Sequence, residues 1–116
     1  LGIEQAPARR LIEADLPVAV ATDYNPGSSM VESLPLAMAI ACTQMRMTPI
    51  EVVVAATANA AAAVNRQDRL GGIRVGMQAD LVALDVPSVE RWLYEPGRNC
   101  VRTVVKAGRA VVDRDS

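Results

Sequence analysis

Val18-Ala19-Val20-Ala21-Thr22-Asp23-Tyr24-Asn25-Pro26-Gly27-Ser28-Ser29 is the stretch whose reading decides the fold. Residues 18–22 form a continuous apolar run of strand length without polar alternation. Such a run, bounded by turn signals, predicts a strand buried on both faces. The run stops at Asp23 and passes directly into Asn, Pro, Gly and Ser, a density of turn chemistry found where a strand ends and a loop begins.

Helices are predicted on either side. Upstream, residues 7–14 read as a short helix with Pro7 in its first turn, closed by Asp15-Leu16-Pro17. Downstream, Ser33 offers an N-cap for a helix over 34–45, with Pro35 tolerated in the first turn. Thr48, Pro49 and Glu51 make a T-x-x-E capping box that opens a second helix running to about Val64. Strand, then helix after helix, is the habit of α/β folds. After Asn65 the character changes. Gly71, Gly72 and Gly76 punctuate a connector, residues 79–84 read as a strand, and 88–96 as irregular chain or a short helix. Residues 101–106 and 109–112 predict two strands of a tight hairpin turning at Ala107-Gly108. We place a boundary near residues 65–69, with 1–67 as strand plus helices and 68–116 as a mostly β part.

Composition narrows the classes. Of 116 residues 51% are hydrophobic, with neither Phe nor His, and the formal net charge is -1 with both signs interspersed. No basic footprint for nucleic acid appears; Arg9-Arg10, the adjacent basic pair, reads as a solvated helix face. Cys42 and Cys100 lie far apart, form no CxxC and have no His to complete a zinc set, so they read as free buried thiols of a reducing compartment. Nothing resembles a signal peptide, and charged residues interrupt every apolar stretch before the ~20 residues of a spanning helix. The expectation is a cytoplasmic protein without membrane or nucleic-acid partners. The two best helices are apolar almost all round, a pattern of helices buried on several faces. With so little chain to cover them, and a start that is not Met, the sequence reads as part of a larger protein.

The chemistry concentrates at Asp23. A carboxylate at the C-terminal end of a barrel strand points into the barrel mouth, where it can bind a cation or take a proton from an activated water. Asn25 adds an amide, Gly27 allows close backbone approach, and Ser28 and Ser29 add hydroxyls. The same residues are also ordinary turn formers whose side chains bond their own backbone. One carboxylate is not a metal site, since zinc takes three or four protein ligands. The glycines of the connector lack a G-K-[ST] ending and lead into a strand, which excludes a phosphate loop. Thr57 and Asn59, mediocre helix formers inside a predicted helix, bond neighbouring backbone or tie the helix to the next segment, a structural rather than a catalytic role. Met38, Met45 and Met47 read as core fillers. Trp92 and Tyr94 read as packing between the two parts or between subunits. A serine nucleophile has no His partner.

These residues resemble a known family. Ala21-Thr22-Asp23-Tyr24-Asn25-Pro26-Gly27-Ser28 is similar to the A-T-D-x-N-P-G-[ST] motif of the imidazolonepropionases, with Tyr24 where Phe is frequent. Met47-Thr48-Pro49-x-Glu51 and Thr57-x-Asn59-x-Ala61 resemble the same family. The glycine connector with Ala79-Asp80-Leu81-Val82, and the closing Val104-Val105-Lys106-Ala107-Gly108-Arg109, resemble the wider metal-dependent amidohydrolases. The resemblance implies the C-terminal portion of a (β/α)8 TIM-barrel hydrolase with part of a small composite β-sandwich domain. A whole barrel takes about 250 residues, so the chain would hold only its last strand and helices. It implies a hydrolase opening the ring amide of 4-imidazolone-5-propanoate to N-formimino-L-glutamate, with one divalent zinc or iron ion. Asp23 would be metal ligand and proton acceptor, and Asn25, Gly27 and Ser28 substrate-binding. The remaining, histidine ligands would lie upstream of this chain, which alone is expected to be inactive, and the full-length enzyme is expected to be a homodimer. Another amidohydrolase, a cyclic amidase or nucleobase deaminase, and a non-catalytic module retaining the tail of the fold are the alternatives.

Overall fold

The structure, a computed structural model, describes residues 5–27, 29–30 and 32–114. It is an α/β arrangement of a helical cluster and a small antiparallel sheet. The elements run α1 (Ala8–Glu13), α2 (Leu34–Gln44), α3 (Pro49–Ala56), α4 (Ala58–Ala63), β1 (Leu81–Leu84), α5 (Val89–Tyr94), β2 (Val101–Lys106) and β3 (Arg109–Asp113).

Local chemistry explains where the helices begin. The Ser33 hydroxyl accepts from the Leu36 N–H at 3.3 Å and starts α2, with Pro35 in the first turn. The capping box of α3 is complete: Glu51 N–H donates to Thr48 Oγ1 at 3.2 Å, and Thr48 N–H to Glu51 Oε1 at 2.9 Å. Ser88 caps α5 through the Arg91 N–H at 3.1 Å, which makes residues 89–94 a helix. α1, α2 and α4 give way to Asp15, Arg46 and Asn65, all with positive φ, the left-handed residue that commonly follows a helix end.

The core lies where α2, α3 and α5 meet, with Met38, Ala41, Cys42, Met47, Val52, Ala55 and Leu93 buried and Ala8 of α1 joining them. Met45 and Trp92 pack on it partly buried, whereas Tyr94 is exposed. Both cysteines are free and buried, and burial pushes the Cys42 thiol pKa up. The outward faces of α2 and α3 stay apolar, with Leu36, Ile50 and Val54 exposed.

Two predicted elements differ. Residues 18–22 are extended but form no ladder, because among the described residues no strand lies beside them. Their burial alternates: Val18, Val20 and Thr22 are half-buried while Ala19 and Ala21 are exposed, so one face is covered rather than two. The predicted helix over 48–64 is two helices, broken at Thr57 (φ -120°, ψ -85°). There the Thr57 hydroxyl bonds the Val53 carbonyl at 2.6 Å, the backward bond by which Thr competes with helix geometry. Arg9 also departs from the solvated reading. It forms a two-pronged pair with Glu51 at 2.8 Å and 2.8 Å, joining α1 to α3, while Arg10 is exposed.

The sheet has order β1-β2-β3. Its hairpin turns on Ala107 (φ 51°) and Gly108 (φ 82°), the doubly left-handed conformation of a type I′ turn. Asp80 latches this turn: its carboxylate accepts from the Ala107 N–H, Lys106 Nζ and Gln78 Nε2, each at 2.8 Å. The Ala79 carbonyl adds a bond from the Gly108 N–H at 3.0 Å. Using Ala79 and Asp80 as the latch delays the strand predicted from 79 until Leu81. The Lys106 ammonium, with the Ala107 N–H next, holds the Asp80 carboxyl at a pKa of about 2.

Candidate functional site

The extended segment 18–22 delivers Asp23 to the rim of a groove of ≈ 690 Å³. Ala19, Ala21, Ile40, Ala41 and Met45 line it, and Asp23 is the one ionisable residue among its described lining. Asp23 is exposed and turns the chain with a φ of 54°. Positive φ is uncommon outside glycine, and Asp is among the side chains that tolerate it. Among the described residues, no hydrogen bond or ion pair engages the Asp23 carboxylate. Its backbone carbonyl does have a partner, the Asn25 amide at 2.7 Å.

The loop beyond is closed by its own groups. Asn25 Oδ1 accepts from the Gly27 N–H at 2.9 Å, and Asn25 and Ser29 exchange backbone bonds at 2.7 Å and 3.2 Å. A Cβ on Gly27 would stand 3.3 Å from Asn25 Oδ1, a tight approach that would press on the Asn25 side chain. Thr22 contributes at both ends: its hydroxyl accepts from the Tyr24 N–H at 3.3 Å, and its carbonyl from the Ser29 hydroxyl at 3.4 Å. Of the four residues singled out from the sequence, Asp23, Asn25 and Gly27 therefore sit together in one closed turn. Ser28 lies outside the described residues. Asn25 behaves locally as the turn former of the plainer reading, and Asp23 alone presents a carboxylate to the groove.

The chain does not by itself fit a divalent metal. It contains no histidine, and no three of His, Cys, Asp or Glu converge among the described residues. A zinc site takes three or four protein ligands, and here one unpartnered carboxylate faces the groove.

Two ionic contacts went unread in the sequence. The Arg9 guanidinium, followed by the Thr48 N–H, holds the Glu51 carboxyl at a pKa of about 2, and hydrogen bonding to Glu51 raises that of Arg9. Asp80 belongs to the A-D-L-V stretch, but its use as a turn latch depends on residues 26 and 27 positions away. T-x-x-E spacing announced Glu51; nothing local announced Arg9 as its partner.

Comparisons with known proteins agree with this arrangement. The model of the amidohydrolase family matches residues 1–111. The chain is 51% identical over 113 residues to the imidazolonepropionase of Geobacillus kaustophilus, covering 97% of this chain and 27% of that protein. Against the imidazolonepropionase of Herpetosiphon aurantiacus it is 50% identical over 112 residues, covering 96% and 26%. Among solved structures, an adenosine deaminase from Xanthomonas campestris with bound zinc superposes with a TM-score of 0.73 at 27% identity, covering 94% of this chain and 28% of that one. A protein described as a prolidase, from Bifidobacterium longum, gives a TM-score of 0.73 at 26% identity, covering 90% and 25%. The chain thus spans about a quarter of the length of the curated relatives it matches. It belongs to the amidohydrolase family.

Proposed function

We propose that this amidohydrolase-family chain is the C-terminal portion of an imidazolonepropionase, a hydrolase that opens the ring amide of 4-imidazolone-5-propanoate to N-formimino-L-glutamate. The observation that carries the reading is the loop Asp23-Tyr24-Asn25-Pro26-Gly27, closed on itself and presenting one unpartnered carboxylate to a groove. Identity of about half over nearly the whole chain with imidazolonepropionases supports the same choice over a nucleobase deaminase or a non-catalytic module.

In this reading residues 18–22 are the last strand of a (β/α)8 barrel, and α2 to α4 are its closing helices. Residues 1–67 belong to the barrel, and 68–116 supply β1, β2 and β3 to a composite β-sandwich domain. The exposed face of Ala19 and Ala21, and the edge of the segment opposite the bonds at Val18 and Val20, then face barrel strands supplied by other chain. The enzyme works in the cytoplasm as a homodimer on a small molecule.

A divalent zinc or iron ion, when bound, supplies an activated water able to hydrolyse an amide at neutral pH. Asp23 is this chain's contribution to its ligands, with histidines supplied from outside the chain. The Asp23 carboxylate, lacking any competing cation among the described residues, accepts the proton of the attacking water at an oxygen. Asn25, Gly27 and Ser28 are the substrate-binding residues of this reading, and the internal bonds of Asn25 hold it and Gly27 beside Asp23.

The test is Asp23→Asn in the complete enzyme. Turnover of 4-imidazolone-5-propanoate should fall about 10²- to 10⁴-fold, the range of a lost proton acceptor, with an unchanged circular dichroism spectrum. Near-normal turnover removes Asp23 from the mechanism. Turnover of cytosine or dihydroorotate in place of the imidazolone would overturn the substrate.

A further inference from the structure

The helix break at Thr57 has a use. We infer that Asn59 is a positioning residue for Asp23, its side-chain amide holding the segment that delivers the carboxylate; this rests on the reading of Asp23 given above. The Asn59 amide donates to the Val18 carbonyl at 2.9 Å, a half-buried bond spanning 41 residues of sequence.

The break makes this possible in two ways. The last carbonyls of a helix have no partner within it. At the end of α3, Thr57 takes two of them, its hydroxyl bonding Val53 and its N–H bonding Val54 at 3.3 Å. The Ala55 carbonyl, which an unbroken helix would give to the Asn59 N–H, instead accepts from the Val20 N–H at 3.0 Å. The turn of direction also brings the Asn59 side chain, in the first turn of α4, over Val18. Alternate residues of an extended chain aim their backbone groups at the same edge. Val18 and Val20 are thus held together on one edge by the two ends of the break.

Gly71 keeps the break closed. A Cβ there would stand 2.7 Å from the Thr57 carbonyl and 2.9 Å from Ala61 Cβ, and its φ is 89°. From Val20 to Asp23 the chain advances only three residues, about 10 Å at extended rise. Hydrogen-bonded at Val18 and Val20, that short lever has little freedom to move the carboxylate at its tip.

The experiment uses the complete enzyme with Asn59→Ala and Asn59→Asp. Asp keeps the shape, suits the first turn of a helix and lacks the donor, so it separates the hydrogen bond from the stability of α4 should the Ala variant fail to fold. We expect kcat for 4-imidazolone-5-propanoate to fall about 10- to 100-fold, as for a misplaced reacting group, with KM little changed. Amide exchange at Val20 should accelerate, and Asn59→Asp should slow an Asp23→Asn enzyme no further. Wild-type kcat and exchange in Asn59→Asp, beside a defective Asp23→Asn, would overturn the inference alone. Full additivity of the two substitutions would also overturn it. Normal turnover in Asp23→Asn would sink the reading of Asp23, and this inference with it.

Discussion

The helical cluster and the three-stranded sheet are held together by different forces. In the cluster, Val52 is 0% and Leu93 1% exposed, and apolar contact does most of the work. In the sheet no strand residue is fully buried among the described residues; all of β3 is exposed, and β2 is at best half-buried. What fixes the sheet is its ladder, its left-handed turn and the Asp80 latch. Leu93 shows that the division does not follow the chain. It comes from α5, between β1 and β2, yet it fills the helical core. A sheet of this size needs an apolar face packed on something for independent stability. An exposed sheet beside a packed cluster is what the proposed reading requires, with the second layer of the sandwich supplied by chain outside this one.

The sharpest way to break the comparison is at its glycines. Gly71→Ala combines left-handed strain, ~1–2 kcal/mol, with overpacking against backbone, ~1–3 kcal/mol. Urea unfolding should show a loss of about 4 kcal/mol, while Gly108→Ala, left-handed but with open space around its Cβ, should lose only about 1 kcal/mol. Equal losses would mean that the close approach at Thr57 is not rigid. Next comes burial itself. In this chain by itself, Leu93→Ala should destabilise by about 3 kcal/mol, and Val112→Ala, 40% exposed, by less than about 0.5 kcal/mol on the same scale of surface changes. A large effect at Val112 would show that the sheet is covered in solution. Smaller again is the capping box: Thr48→Ala should lose about 1 kcal/mol, read from the same urea midpoints.

The gentlest contrast is in pH. Glu51 in the cluster and Asp80 beside the sheet both have carboxyls lowered to about 2, from ordinary values of 4.5 and 3.8. A depressed carboxyl stabilises the fold above its ordinary pKa, and that contribution disappears as pH falls through the folded value. Melting temperature should therefore decline modestly from about pH 4.5 to about pH 2, modestly because both pairs are reached by solvent. Asp80→Asn should flatten part of this decline and speed amide exchange at Ala107 without touching the core amides. Glu51→Gln should flatten the other part and speed exchange at amides of the helical cluster while leaving Ala107 unchanged, and identical exchange patterns in both would mean that the two latches are not separate.

Some of this was legible in the residues alone. Ser33, the Thr48-Glu51 box and the Ala107-Gly108 turn act within four positions of themselves, so spacing is enough to predict them. The Asp23 loop was legible for the same reason, down to Asn25 bonding its own backbone. The glycine connector showed that the chain turns there, but not that Gly71 presses on Thr57. Thr57 and Asn59 stood out as weak helix formers. Their effect, a broken helix whose halves hold Val18 and Val20, could not be read, because propensity differences of a few tenths of a kcal/mol do not choose among distant partners.

By itself, the sequence determined the starts of α2 and α3, the hairpin, the burial of both cysteines and the placing of Asp23 at the end of an extended run. Tertiary structure alone decided that this run lies with one face open, that Arg9 pairs with Glu51, that Asp80 latches a hairpin from outside it, and that Leu93 belongs to the helical core. The reason is range: caps and turns are settled by groups a few residues apart, whereas burial and ion pairing depend on which surfaces meet once the chain has folded back on itself.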